Sequence, residues 1–197
     1  MTAMPALKTA TPITDPAHGA DRSACYINQE DELIITAEPL TAAAFAPFGT
    51  VLEAAVEGRR QYFDAVLGDE RAAAKPRLWT SRVPIAERLP VPCETLEHHP
   101  CSSQTFIPMS VSRYLLALAP SLADGSPDVL RMRAFVGHAG QGVTYRAGAW
   151  HHSILALDEP ALFAVLIWQD GGARDEVFVP VSQPISIAIG PSFAGAG

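Results

Sequence analysis

From Glu94 to Pro180 the chain repeats one local pattern: short β-prone segments broken by strong turn signals. The segments fall at 94–98, 104–109, 111–118, 131–136, 142–146, 150–156, 161–169 and 176–180. Between them lie Ala123-Asp124-Gly125-Ser126-Pro127, Gly137-His138-Ala139-Gly140, Asp158-Glu159-Pro160 and Asp170-Gly171-Gly172, each rich in residues that favour tight turns. Many short strands at this spacing, with little helix after residue 50, predict an all-β sandwich or barrel. Upstream, Leu33–Ala37 predicts a strand. Thr41 is placed to cap a short helix over 42–48, stopped by Pro47 and Gly49. Strands follow at 49–53 and 78–83, and 54–77 is expected to be a loop with one helical turn. The domain reading is a flexible arm over 1–30, a single barrel over 31–185, and a tail over 186–197 that adds an edge strand.

Composition narrows the function classes. The 197 residues carry 48% hydrophobic and 18% charged side chains, which fits one globular domain with a sizeable core. The net charge of −7 without a Lys/Arg-rich run argues against nucleic acid or an anionic membrane as partner. No apolar run approaches the ~20 residues that span a bilayer. Residues 1–20 lack the apolar core of a secretory signal. The three cysteines (Cys25, Cys93, Cys101) are odd in number and widely spaced. They suit reduced thiols, so a cytoplasmic location is expected.

Four of the six histidines sit in two short windows. The first holds Glu97, His98, His99 and Gln104; the second holds Tyr145, Trp150, His151 and His152. Alternation along a strand puts Glu97 and His99 on one face and His98 on the other. Gln104 lies across the Pro100–Ser103 turn, where the next strand brings it beside that face. By the same rule His151 and His152 face opposite ways unless a bulge intervenes. His98, Phe106 and Met109 are expected to be structural. No Ser-His-Asp order, phosphate loop or Cys-x-x-Cys pair is present to support nucleophilic, phosphoryl or redox chemistry.

The spacing of Glu97, His99 and Gln104, followed by Gly140, Arg146-Ala147-Gly148 and His151, resembles the two cupin motifs, with Arg146 in place of the usual proline. The phrases Leu-Glu-His-His-Pro, Gln-Thr-Phe-Ile-Pro-Met, Arg-Ala-Phe-Val, Gly-Gln-Gly-Val-Thr-Tyr and Trp-His-His resemble the ureidoglycolate lyase family over most of 34–180. That resemblance implies a homodimeric cupin-type barrel splitting ureidoglycolate, a small molecule, into glyoxylate and urea during allantoin breakdown. It implies a divalent metal and no organic cofactor, with Glu97, His99, Gln104 and His151 as ligands. Two nitrogens and two oxygens suit nickel, manganese or zinc and do not choose among them.

For the proton transfers, His152 and Tyr145 are the candidates, with Glu97 as a further base. Arg133 is expected to grip the substrate carboxylate through a bidentate pair, with Gln104 and Trp150 as further substrate contacts. Two departures stand out. Residues 62–68 differ from the family's Ile-Asn-x-Gly-type stretch, and Gln169-Asp170-Gly171-Gly172 lacks the arginine of its Asp-Arg-Gly-Gly. They motivate two alternatives: a related carbon–nitrogen lyase on another α-hydroxy-α-amido acid, or a non-catalytic carboxylate-binding cupin.

Overall fold

Residues Ala161–Gln169 alternate buried and half-buried positions, the period-two pattern of a strand with one face on a core. The computed structural model describes residues 25–27, 32–190 and 193. In chain order the elements are β1 (Cys25–Ile27), β2 (Leu33–Pro39), α1 (Ala42–Phe45), β3 (Gly49–Leu52), β4 (Lys75–Val83), β5 (Val91–Pro92), β6 (Thr95–His98) and β7 (Gln104–Ser110). There follow β8 (Arg113–Ala119), β9 (Arg133–His138), β10 (Gly142–Tyr145), β11 (Trp150–His151), β12 (Leu155–Ala156), β13 (Ala161–Gln169), β14 (Val177–Pro180) and β15 (Ile185–Ile189). The larger sheet runs β14-β6-β11-β8-β9-β2-β15-β5, with β1 on β2 and β12 on β8; the smaller runs β3-β10-β7-β13-β4. Curled sheets with almost no helix make this an all-β, cupin-type barrel.

The larger sheet carries apolar packing on both faces. Along β8, Tyr114, Leu116 and Leu118 join Phe45, Phe135, Tyr145 and Phe163 in the interior cluster. The intervening Leu115, Ala117 and Ala119 join Leu33, Ile35, Leu96, Trp150 and Ile187 behind the sheet. Each large side chain buried this way contributes about 1.5–3 kcal/mol. A strand wanted on both faces loses polar alternation, and β8 is apolar from Tyr114 to Ala119 for that reason.

Several boundaries differ from those expected. Thr41 caps the helix by accepting from Ala44 N at 3.2 Å, but the helix ends at Phe45 because Pro47 offers no N–H to continue it. The 54–77 segment holds one 3-10 turn, Asp64–Val66, and β4 begins already at Lys75. The single strand expected over 150–156 is two pieces, β11 and β12. The tail from 186 contains most of β15, which is not an edge: it runs parallel to β2 and lies between β2 and β5. Within the expected arm, Cys25–Ile27 pairs antiparallel with β2; the rest of 1–30 lies outside the described residues, apart from this strand. Met109, expected in the core, is exposed. Among the described residues no helix is long and apolar enough to cross a membrane.

Candidate active site

The site grows from one row of the larger sheet. His151 pairs with Glu97 on β6 and with Leu118 on β8, while Phe178 pairs with Glu97 from β14. Directly opposed residues share a face, so Glu97, His151 and Leu118 look toward the barrel interior, with Phe178 on the same face but exposed at the sheet's edge. From the smaller sheet, Tyr145 pairs with Gln104 and presents its ring to the same space, 4.7 Å from the His151 ring. The turn before β11 closes the arrangement. Gly148 N donates to His99 O at 2.9 Å, and Gly148 sits at φ +75, a conformation that strains any residue with a Cβ.

Three side chains converge tightly: one ligand atom each from Glu97, His99 and His151 lies within 4.8 Å of the other two. His151 Nδ1 donates to Ala149 O at 2.9 Å, which turns Nε2 toward Glu97 Oε1 at 3.0 Å. His99 Nδ1 donates to Asp175 O at 2.6 Å, which turns its Nε2 inward. That Nε2 is buried without a protein partner, as are Gln104 Oε1 and the Tyr145 hydroxyl. Both histidines are thus held by backbone carbonyls through Nδ1; His99 offers a free Nε2, while the His151 Nε2 is engaged by Glu97 and would give up that contact to ligate a metal. Two imidazole nitrogens, a carboxylate and a buried amide oxygen on the same interior fit a divalent cation.

Electrostatics sort the roles. Burial opposes ionisation of Glu97, but the hydrogen bond from His151 and the nearby imidazoles outweigh it, holding the carboxyl below its ordinary value. Burial pushes His99 and His152 down, so both favour the neutral ring. Complete burial pushes the Tyr145 phenol well up, leaving a neutral hydroxyl.

His152 also comes near this cluster, although it follows His151 directly. From His151 to Leu155 the chain advances four residues while its partner strand advances three, from Leu118 to Leu115. The extra residue is a bulge that breaks alternation. His152 is half-buried and lies close enough to Glu97 for the two to be coupled electrostatically.

Two expected substrate contacts are not brought to the cluster. Trp150 points behind the sheet, where its ring stacks on His98 at 3.7 Å and its indole N–H donates to Gly125 O at 2.9 Å. Arg133 pairs with Leu118, so two strand spacings, about 10 Å, separate it from His151. Its guanidinium donates to Glu38 Oε1 and Ala44 O, both at 2.8 Å.

Two acidic residues at the site were missed by sequence reasoning. Asp175 supplies the carbonyl that anchors His99. Glu176, next to it, is largely exposed, and partial desolvation together with the charge of Glu97 raises its carboxyl. The pairing of β14 with β6 brings them there, and no local motif announces it. A separate cavity of about 480 Å³ lies against the opposite face of β10, lined by Thr50, Thr144, Ser103 and Arg146; Glu97, His99 and His151 do not line it.

Comparison with known proteins adds to this geometry. The sequence model of the family described as Ureidoglycolate lyase matches residues 32–187. The chain is 35% identical over 155 residues to a ureidoglycolate lyase of Azotobacter vinelandii, covering 74% of this chain and 92% of that one. It is 36% identical over 178 residues to one of Burkholderia cepacia, covering 83% and 95%. With one of Schizosaccharomyces pombe the identity is 32% over 182 residues, covering 79% and 95%.

Proposed function

Since this chain belongs to the ureidoglycolate lyase family, we propose that it cleaves ureidoglycolate to glyoxylate and urea as a carbon–nitrogen lyase. The observation that carries the reading is the buried cluster of Glu97, His99 and His151, with the unpartnered His99 Nε2 and Gln104 Oε1 beside it. The substrate carbon bears a hydroxyl, a carboxylate and a ureido nitrogen. Cleavage moves the hydroxyl proton to that nitrogen while the C–N bond breaks and C=O forms, with no water consumed.

Glu97, His99, Gln104 and His151 would hold a divalent cation of the nickel, manganese or zinc class. When bound, such an ion would supply Lewis acidity that lowers the pKa of the substrate hydroxyl. His152, neutral at working pH, accepts the hydroxyl proton and returns it to the departing urea nitrogen. The Tyr145 hydroxyl donates a hydrogen bond to a substrate oxygen; its raised pKa keeps that proton in place. Arg133, held by Glu38, braces the interior wall and is a less favoured carboxylate grip.

A homodimer belongs to the same reading. Leu78 and Leu166 are paired across β4 and β13, and on the outer face of the smaller sheet Leu78, Ile107 and Met109 are exposed. Beside them, the nine-residue β4 has an unpaired edge among the described strands. Exposed apolar patches and long free edges are typical of surfaces covered by a partner. Sedimentation should show a dimer that Leu78→Glu with Ile107→Glu converts to monomer; a dimer unaffected by both charges rejects this face.

The activity test follows glyoxylate and urea from racemic ureidoglycolate before and after chelation. Release of both products, lost on chelation and restored by one divalent metal, is the expected result. Absence of turnover with every metal, in protein that retains its fold, would refute the substrate assignment.

A further inference from the structure

The segment carrying Glu97 and His99 is braced by two distant parts of the chain, and the braces meet at Arg71. Its side chain is only 7% exposed and faces three aspartates. It forks onto Asp69, with Nε to Oδ1 at 2.9 Å and Nη2 to Oδ2 at 2.7 Å. Nη1 donates to Asp170 Oδ1 at 2.9 Å and to Asp175 Oδ1 at 2.8 Å. The 68–71 segment is stitched to the stretch just after His99: Glu70 N donates to Cys101 O and Ser103 N to Gly68 O, both at 2.9 Å. The Asp175 carboxylate is also held by Asp170 N at 3.0 Å and Gly171 N at 2.7 Å. Meanwhile the Asp175 carbonyl accepts the His99 Nδ1 proton. One guanidinium therefore ties together the residues on both sides of that hydrogen bond.

We propose that Arg71 and Asp175 are positioning residues for His99: the buried Arg71–Asp175 ion pair fixes the carbonyl that keeps the His99 proton on Nδ1 and so presents Nε2 to the site. Neither side chain touches the cluster through its own charged group, so neither is catalytic. Arg71 is saturated by carboxylates, which also excludes it as the grip for a substrate carboxylate. An arginine bound bidentately to one carboxylate and singly to two others is not replaceable by lysine, whose ammonium lacks the planar fork. The consequence for metal affinity rests on the metal-site reading above; the consequence for the His99 tautomer does not.

The test uses the full-length protein with ¹⁵N-labelled histidine at pH 8, metal-free, with the His99 signals identified by their loss in His99→Asn. Wild type should show a single His99 tautomer protonated at Nδ1. Asp175→Ala keeps the carbonyl but loses the anchor; it should mix the tautomers and weaken zinc(II) and nickel(II) binding by about 10- to 100-fold, the usual effect of losing the support behind a ligand. Asp175→Asn, whose single amide oxygen can replace Oδ1 toward Asp170 N and Arg71 but puts an NH2 where Oδ2 accepted from Gly171 N, should restore only part of both. Arg71→Met should act in the same direction as Asp175→Ala, and Arg71→Lys should fall between; if Arg71→Met does not fold, Asp175→Ala alone decides. Folded Asp175→Ala with an unchanged His99 tautomer overturns the proposal, whatever its metal affinity. A mixed tautomer in a protein that binds neither metal, even as wild type, upholds the positioning role and discards the metal site.

Discussion

The strand pair β6–β11 shows two histidine environments back to back. On the interior face, His99 and His151 are anchored by backbone carbonyls through Nδ1 and turn Nε2 toward Glu97 and one another. On the opposite face, His98 stacks flat on Trp150, 14° from parallel, inside apolar packing. The residue type is the same and the chain positions are adjacent, yet the interior gathers three unpartnered polar atoms, His99 Nε2, Gln104 Oε1 and the Tyr145 hydroxyl, while on the other side His98, with only its Nδ1 unpartnered, serves as an aromatic plate. The difference teaches that side-chain period decides role here. Burial differs only in degree: His99 and His151 are buried and His98 is half-buried.

The largest expected effect lies on the interior face. His151→Ala should cut turnover by about 10²- to 10⁴-fold and remove bound metal, seen by elemental analysis, while the fold persists by circular dichroism. Metal content equal to wild type would erase the distinction between the faces. The back face should respond oppositely. Trp150→Ala removes a large buried ring and should cost about 3–5 kcal/mol of stability by denaturant unfolding, with metal bound per folded molecule unchanged. Loss of metal at unchanged stability would show that the faces are coupled.

The smallest effect serves as a baseline away from both faces. Hydrogen bonding to Arg113 lowers the Asp158 carboxyl to about 2, against about 3.9 for an unfolded aspartate. A carboxyl depressed by folding contributes stability that is present above pH ~4 and lost as pH falls through about 2. The pair is close to one-third exposed, so solvent screening leaves about 1 kcal/mol. Asp158→Asn should lower the Tm slightly at pH 7, and the gap from wild type should close on acidification toward pH 2; a gap constant with pH would remove the ionic explanation.

Much of the site was legible because it is local. Strand alternation put Glu97 with His99 and against His98, but Gln104 reaches the interior from the opposite sheet, where β7 pairs with β10 and sets it beside Tyr145, a placement the turn spacing did not indicate. His152 was undecidable: whether it joins His151 depends on a one-residue bulge against β8, and a bulge appears in register, not in composition. Arg133 and Trp150 were candidates by residue chemistry. Their positions, about two strand spacings away in one case and behind the sheet in the other, follow from pairing partners far along the chain.

By itself the sequence determined the period, the punctuation and the donor types: an all-β chain with its candidate donors gathered in two histidine windows. Only the tertiary structure decided what holds those donors in place. Arg71 lies 104 residues from the Asp175 it clamps, and Asp175 is 76 residues from the His99 it orients. Buried charges require partners wherever the fold supplies them. Long-range strand pairing, which brings such partners together, leaves no periodic trace in the segments it joins.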